Sequence, residues 1–368
     1  MMSNYIQILR NLFFNIAYQT GISKPFRSML VKNRNLMILT FHRVSDDVDQ
    51  MWPPIPIESF RSLMEKLAKT FQIIDINDVK KLPNHPGPPF MVVTFDDGYS
   101  DCIENAAPIL LDLGIPACLN ICPFLVERGT PPWTQVLSVY LNSMEADLGV
   151  VPSLQYKYLK LPDGSNFVIS KPVNQKMFME LCRNIYLMDD EKRRAWLDNL
   201  TENLNLNFDL YSMMTWNDVR SCIRNGFSIG SHSYSHRNLS QVKEPELLET
   251  EISFSRQRIL EETGIAPSVF TFPNGQYNDS LLKIVEESGY SIALLHGINL
   301  VDLIDNEKPA NVNNINDSDG LLCLPRIDGD SGLNWRETVL KSSGFHHQLK
   351  RITNFRRRRD LGRQALRG

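Results

Sequence analysis

The chain has 368 residues, of which 42% are hydrophobic and 22% charged, as in an ordinary globular protein of one large α/β domain with additions or of two smaller domains. The formal net charge of −3 combines an acidic body with a basic end, because residues 350–368 contain eight Lys or Arg and one acid. No run approaches the ~20 apolar residues of a membrane-spanning helix. The six cysteines lack C-x-x-C spacing and indicate neither a structural zinc module nor a disulfide framework.

The first predicted element is an amphipathic helix within an N-terminal segment, residues 1–35. Polar side chains recur every four positions at Gln7, Asn11 and Asn15, with mostly apolar residues between them. They interrupt the run too often for a signal peptide, so we expect a cytoplasmic protein. The helix either packs on its own domain or contacts a membrane surface peripherally, and the basic tail (residues 346–368) is either solvated or touches anionic lipid. We expect no specific nucleic-acid partner.

Short β-rich runs alternate with helical patterns from residue 36 onward. The predicted strands are Leu36–Val44, Phe71–Ile76, Phe90–Phe95, Ala117–Val126, Phe227–His232, Val269–Phe272 and Ser291–Leu295. Several intervening helices have recognisable ends, such as the capping box from Thr215 to Asp218. Strands that alternate with helices predict a parallel sheet, and about seven such units predict a closed or nearly closed barrel.

One stretch, at about residues 127–214, departs from this alternation. It contains helical patterns at Trp133–Leu148, Lys176–Ile185 and Asp190–Leu204, and a polar connection, LKLPDGSNFVIS, of hairpin character. We predict a mostly helical insertion that is too short and too interrupted to be an independent domain. The barrel domain itself is predicted over residues 36–345.

Two adjacent carboxylates, Asp96 and Asp97, follow the apolar run Phe90–Val93. The C-terminal end of a buried parallel strand is where barrel active sites are built. Neighbouring side chains at a strand end point in different directions, so one carboxylate can bind a cation while the other faces a substrate. Asp-Asp-Gly also suits a simple turn, and the pair alone does not decide between the two interpretations.

A His-x-x-x-His pair, His232 and His236, follows another predicted strand. On a helical turn, residues four apart share a face, so both imidazoles can reach one ion. The alternative is two surface histidines at chance spacing, but the earlier Asp96-Asp97 pair favours a metal site. Asp97, His232 and His236 would leave coordination positions open, as in catalytic sites. We expect one divalent ion, with Zn first and Co, Mn or Ni also compatible.

These residues predict metal-assisted hydrolysis of an amide or ester. The ion would lower the pKa of a bound water and polarise a carbonyl. Asp96 would accept the proton of the water as general base, and an acid on the opposite side must protonate a departing nitrogen.

The segments TFDDGYSD (residues 94–101) and GSHSYSH (residues 230–236) together resemble the first two motifs of the polysaccharide deacetylases, the NodB-homology carbohydrate esterases of family 4. The resemblance implies a distorted (β/α)7 barrel with the insertion between these motifs, Asp96 as the base, and Asp97, His232 and His236 as the metal ligands. The runs ILTFHRV, FTFPNG, Gly289-Tyr290 and LPRID resemble the branch that contains poly-N-acetylglucosamine deacetylases. The resemblance covers about Leu36 to Ile327 apart from the insertion.

Two features of the family are not in their usual places. Its third motif usually reads Arg-x-Pro-Tyr-Gly, with the Arg orienting the catalytic Asp, but Thr271 stands at the Arg position here. Arg326, near the end of the last core segment, can supply the guanidinium as a bidentate partner of a carboxylate. The late Leu-x-His acid of the family is not plainly present. We predict His42 as the general acid and keep His296 as the second candidate.

The residues and the resemblance together predict a hydrolase of carbon–nitrogen bonds other than peptide bonds. It would remove N-acetyl groups from N-acetylhexosamine units of a polysaccharide, as in exopolysaccharide biosynthesis, or of its lipid-linked precursor. The partner would be an acetylated glycan. An O-acetyl esterase or a small cyclic-amide hydrolase on the same barrel remains open, as does a non-catalytic glycan-binding relative.

Overall fold

A computed structural model of the chain describes residues 35–82, 88–150, 156–186, 188–204, 208–296, 310–311 and 320–329, together with residues 12, 16, 19, 20, 206, 336 and 338. The predicted N-terminal helical segment lies outside the described residues except at those isolated positions, and the basic tail lies wholly outside them. Within the described part of the chain, no helix is both long and apolar enough to cross a membrane.

Seven parallel strands form a closed barrel. The described strands are β1 (Asn35–Phe41), β2 (Gln72–Ile73), β3 (Phe90–Asp97), β4 (Cys118–Ile121), β5 (Tyr156–Lys160), β6 (Asn166–Ser170), β7 (Ser228–Ser231), β8 (Val269–Thr271), β9 (Ile292–His296), β10 (Ala310–Asn311) and β11 (Leu322–Asp328). β1 pairs with both β11 and β3, which closes the ring β1-β11-β9-β8-β7-β4-β3. The predicted (β/α)7 barrel is confirmed. β2 extends the sheet beside β3, and the antiparallel β10 lies beside β1.

The helices surround the barrel or belong to the insertion. They are α1 (Ile57–Ala68), α2 (Ala107–Asp112), α3 (Pro123–Arg128), α4 (Trp133–Val150), α5 (Gln175–Tyr186), α6 (Asp190–Leu204), α7 (Trp216–Arg224), α8 (Pro245–Glu249), α9 (Ser255–Thr263) and α10 (Asp279–Glu287). A π-helical turn, Thr250–Phe254, joins α8 to α9. The capping box is present at the start of α7, where Thr215 and Asp218 satisfy each other's backbone N–H groups.

Three predicted strands end three or more residues earlier than predicted, and one of them is β2, which ends at Ile73 rather than at Ile76. β1 ends at Phe41 rather than at Val44, and β4 ends at Ile121 rather than at Val126. Pro123 begins α3 instead, because its fixed φ suits the first turn of a helix and its missing N–H cannot continue a strand ladder. His42 therefore lies just beyond the C-terminus of its strand.

The insertion has a hydrophobic core of its own. Helices α4, α5 and α6 pack with the antiparallel hairpin β5–β6, and Phe178 and Leu181 of α5 are fully buried at the centre. Burial stabilises the insertion by about 1.5–3 kcal/mol for each such side chain. Met51, from the loop after β1, is also buried in this core. The predicted mostly helical insertion is thus confirmed, and it is anchored on a barrel loop that follows His42.

Candidate metal centre and active site

The six predicted site residues meet at the end of the barrel where the strand C-termini converge. A pocket of about 400 Å³ is lined by His42, Asp96, Asp97, His232, His236 and Arg326. These residues come from β3, from β11 and from the loops that follow β1 and β7. Pro132, Thr134, Gln135 and Tyr186 of the insertion line the same pocket. The insertion therefore contributes one wall of the site.

Three side chains present one ligand atom each to a common point. Asp97 Oδ1 lies 3.4 Å from His232 Nε2 and 3.3 Å from His236 Nε2. Ligand atoms held about 2.1 Å from a tetrahedral ion are about 3.4 Å apart, so this spacing fits a zinc-sized ion. The three ligand groups, all buried, lie within 4.8 Å of one another.

The hydrogen bonds of these groups also fit a cation. His232 Nδ1 lies 3.0 Å from the carbonyl oxygen of Thr271, which can only accept, so Nδ1 carries the proton and Nε2 has a free lone pair. Asp97 Oδ1 is buried and has no hydrogen-bond partner among the described residues. Two acceptor atoms thus face each other in a buried site, an arrangement that a bound cation would satisfy.

The loop after β7 is not the helical turn that the spacing predicted. Ser233 and His236 have φ angles of 62° and 59°, in the left-handed region, and His236 N–H donates to Ser233 Oγ over 3.0 Å. Asp97 also has a positive φ, 73°. Left-handed backbone at a non-glycine residue costs about 1–3 kcal/mol and persists only where the surroundings hold it. The His-x-x-x-His spacing predicted the convergence correctly but the wrong local geometry.

Asp96 is held apart from the ligand cluster by a bidentate ion pair. Arg326 Nη1 and Nη2 donate to its two carboxylate oxygens, each over 2.8 Å, and both side chains are only 2% exposed. Asn120 Nδ2 donates to Asp96 Oδ1 over 2.9 Å. Burial opposes ionisation of Asp96, but the charges of Arg326 and His232 outweigh it and hold the pKa of Asp96 far below its ordinary value. The guanidinium that the sequence does not provide at Thr271 comes from β11.

Asn120 is a site residue that the sequence analysis missed. It is fully buried on β4, and a Cβ atom at Gly230 on the neighbouring β7 would lie 2.2 Å from its side-chain oxygen. Gly230 therefore leaves the space that Asn120 needs to reach Asp96. The available signal was a lone polar residue in the apolar run from Ala117 to Val126.

His42, the predicted acid, lies at the pocket and contacts the ring of Trp52 edge-on, with 6.4 Å between ring centroids. The neighbouring Arg43 is buried and pairs with Asp101 over 2.8 Å. Its guanidinium also lies over the ring of Tyr211, 4.8 Å from the centroid. These contacts fix the loop after β1 against the insertion, another link that the sequence did not indicate.

Two carboxylates and a second histidine complete the surroundings of His42 in the predicted scheme. Asp46 and Asp47 follow His42 closely in the chain; Asp46 accepts from Ile57 N–H, and Asp47 pairs with Arg43. The backbone of His296 is in β9, in register with Arg326, and its side chain is outside the described part of the structure.

The comparisons with known proteins agree with this geometry. Residues 167–293 match the sequence model of the polysaccharide deacetylase family, a range that includes both histidines and excludes Asp96 and Asp97. Over this range the chain is similar to the polysaccharide deacetylases. The match does not extend to the first motif, which the barrel places beside the second. None of the curated protein sequences compared matches the chain.

Solved structures share the fold of this chain. The deacetylase PplD of Streptococcus pyogenes, in complex with acetate, aligns with a TM-score of 0.51 at 17% identity, over 83% of this chain and 97% of its own. IcaB from Ammonifex degensii aligns with a TM-score of 0.50 at 15% identity, over 84% of this chain and 97% of its own. At these identities the likeness shows a common barrel fold.

The buried imidazole of His232 predicts a pH dependence of stability in the metal-free protein. Burial lowers the pKa of His232 from 6.5 to about 4, so between these values the unfolded chain binds a proton that the folded chain does not. The free energy of unfolding should be greatest above pH 6.5 and should decline as the pH falls toward 4. His232 contributes up to about 1.4 kcal/mol per pH unit to this decline. Urea unfolding in EDTA at several pH values measures the slope. His232→Asn should flatten it, and equal slopes in both proteins would contradict the assignment.

Proposed function

We propose that the protein is a metal-dependent N-deacetylase that acts on N-acetylhexosamine units of a polysaccharide or of its lipid-linked precursor. The observation that carries this proposal is the juxtaposition in one pocket of three converging ligand groups and a separate, ionised carboxylate. The family indicates a deacetylase and hence a hydrolase. The motif resemblance supports the amino-sugar substrate.

Asp97, His232 and His236 would hold one divalent ion, with Zn first and Co, Mn or Ni as alternatives. When bound, such an ion supplies Lewis-acid polarisation of an acyl oxygen and acidifies water. His232 keeps a free Nε2 for this purpose because its Nδ1 proton is held by the Thr271 carbonyl. The lowered pKa of His232 also keeps the ring neutral at pH 7, as a metal ligand requires.

Asp96 is the proposed general base. Arg326 and Asn120 fix its carboxylate at the pocket wall, and the pair with Arg326 keeps it ionised and ready to accept a proton. The same ion pair stabilises the ionised carboxylate and therefore reduces the basicity of Asp96. This reduction has a cost in rate, because a general base works best when its pKa is near the working pH. Arg326 thus fixes the orientation of the Asp96 carboxylate and at the same time lowers its affinity for a proton.

His42 is the proposed general acid. An amide is cleaved only when its departing nitrogen receives a proton, and His42 lines the same pocket as Asp96 from a different strand end. A cytoplasmic location, peripheral membrane contact and the alternative acid His296 stay predictions.

The first prediction concerns the metal. The purified protein should bind a single divalent ion per chain, with affinity that falls as the histidines protonate. Asp97→Ala and His232→Ala should lose the ion and keep the fold, while His42→Ala, the control, should retain it. Elemental analysis and circular dichroism measure both properties. Full metal content in the two ligand variants would refute the proposed site.

The second prediction concerns the base. Asp96→Asn should keep the metal but lower the rate of acetate release from N-acetylated chitooligosaccharides by about 10²–10⁴, because an amide cannot accept the proton. Asp112→Asn, which alters an exposed carboxylate paired with Arg61, is the matched control. A rate within about threefold of the unmodified enzyme would show that Asp96 is structural.

The third prediction separates amide from ester hydrolysis. His42→Ala should leave the metal content unchanged and strongly reduce kcat on an N-acetyl substrate. An activated ester should be affected much less, because its leaving group departs without a proton. Equal losses on both substrates would exclude His42 as the acid. An unmodified enzyme that releases acetate only from O-acetyl esters would favour the esterase alternative instead.

A further inference from the structure

The second metal loop, residues 232–237, is held in an unfavourable backbone conformation by contacts from two sides. Ser233 and His236 both have positive φ angles. Such residues keep their conformation only when neighbouring groups fix them. The position of His236 therefore depends on the contacts that hold this loop.

On the barrel side, Glu251 holds the loop through hydrogen bonds, and its side chain is 1% exposed. Its carboxylate accepts from the backbone N–H of Ser235 over 2.9 Å and from the Ser235 hydroxyl. Its carbonyl oxygen accepts from Tyr234 N–H over 2.9 Å. Glu251 belongs to the π-helical turn between α8 and α9.

On the other side, residues of the insertion hold the loop. Arg194 of α6 donates from Nη2 to the carbonyl oxygen of Ser235 over 2.7 Å. Arg237, the residue after the second histidine, donates from Nη1 to Asp190 Oδ2 over 2.6 Å and also pairs with Glu191 and Glu251. Asp190 is 47 residues away from Arg237 in the chain, at the start of α6.

Asp190 is the central residue of the contacts between the insertion and this loop. Its carboxylate is 7% exposed and pairs with three guanidinium groups, those of Arg193, Arg194 and Arg237. The bond from Arg194 Nε to Asp190 Oδ2 measures 3.0 Å, so the same arginine joins Asp190 to the Ser235 carbonyl. Without the negative charge at Asp190, three clustered positive charges would repel one another, Arg194 would lose this ion pair, and Arg237 would lose one of its three carboxylate partners.

We infer that Asp190 of the insertion is a positioning residue for the metal centre, because it orients Arg194 and Arg237 and through them the loop that carries His232 and His236. This inference rests on the proposed metal site. The insertion then has a second role besides lining the pocket: it holds the histidine pair in the geometry that binds the ion. Partners that orient metal ligands in this way commonly contribute about 10–100-fold to metal affinity.

The test measures zinc affinity by competition with a chromophoric chelator, and melting temperature with and without Zn²⁺. Asp190→Asn should weaken zinc binding about 10–100-fold and reduce the metal-dependent rise in melting temperature. The matched control is Asp198→Asn on the same helix, since Asp198 pairs with Arg128 and both side chains are about half exposed. The control should bind zinc as the unmodified protein does.

A second variant keeps the test informative if Asp190→Asn does not fold. Arg194→Met removes the donor to the Ser235 carbonyl while Asp190 keeps Arg193 and Arg237, and it should also weaken zinc binding. A variant whose melting temperature falls equally with and without zinc, at unchanged affinity, would show a purely structural role and overturn the inference. If the unmodified protein itself binds no divalent ion, the proposed function fails as well.

Discussion

Two buried charges of opposite sign, Asp96 and Arg326, meet inside the barrel although 230 residues separate them in the chain. Removing such charges from water costs several kcal/mol for each ion, and the pair is stable only if its geometry and its other hydrogen bonds are satisfied. Asn120 and Thr40 provide those bonds from two further strands. The requirement fixes the register of β1 against β3 and β11, since a shift by one residue would turn a charged side chain to the opposite face.

The pairing of Asp96 with Arg326 also gives the two adjacent aspartates different roles. Asp96, the residue before the end of β3, turns to Arg326, whereas the left-handed backbone at Asp97, the last residue of β3, turns its carboxylate toward the histidines. One carboxylate is thus saturated with hydrogen bonds, while the other keeps a buried oxygen free of them. This difference in bonding, more than the residue type, distinguishes a proposed base from a proposed ligand.

The position of Thr271 shows how the chain meets an electrostatic requirement by a different route. Its backbone carbonyl fixes the tautomer of His232, and the guanidinium that relatives place in this motif reaches Asp96 from β11 instead. The insertion likewise acts on the site from outside the barrel, through Arg194 and Asp190 on one loop and through Tyr211 on another. The barrel, the loops and the insertion therefore form one connected polar network around the pocket.

The sequence by itself predicted the fold class, the insertion and most of the candidate residues that the fold brings to one pocket, because each leaves a local pattern. Apolar runs that alternate with capped helices indicate a parallel barrel, and Asp-Asp and His-x-x-x-His after such runs indicate a metal site. The spacing did not reveal that left-handed residues, Ser233 and His236, bring the histidines together, since a helical turn has the same spacing. Arg326 could be proposed only because the family resemblance calls for a guanidinium that Thr271 does not provide, and Asn120 was missed.

The tertiary structure alone decided which distant groups touch. The pairing of Asp96 with Arg326, the space beside Gly230 for Asn120, and the three arginines around Asp190 depend on strand order and on the docking of the insertion. Such contacts join segments whose separation in the chain has no regular period. Local patterns record which face of an element is buried, but not which side chain of another element lies opposite, because packing, rather than propensity, selects that partner.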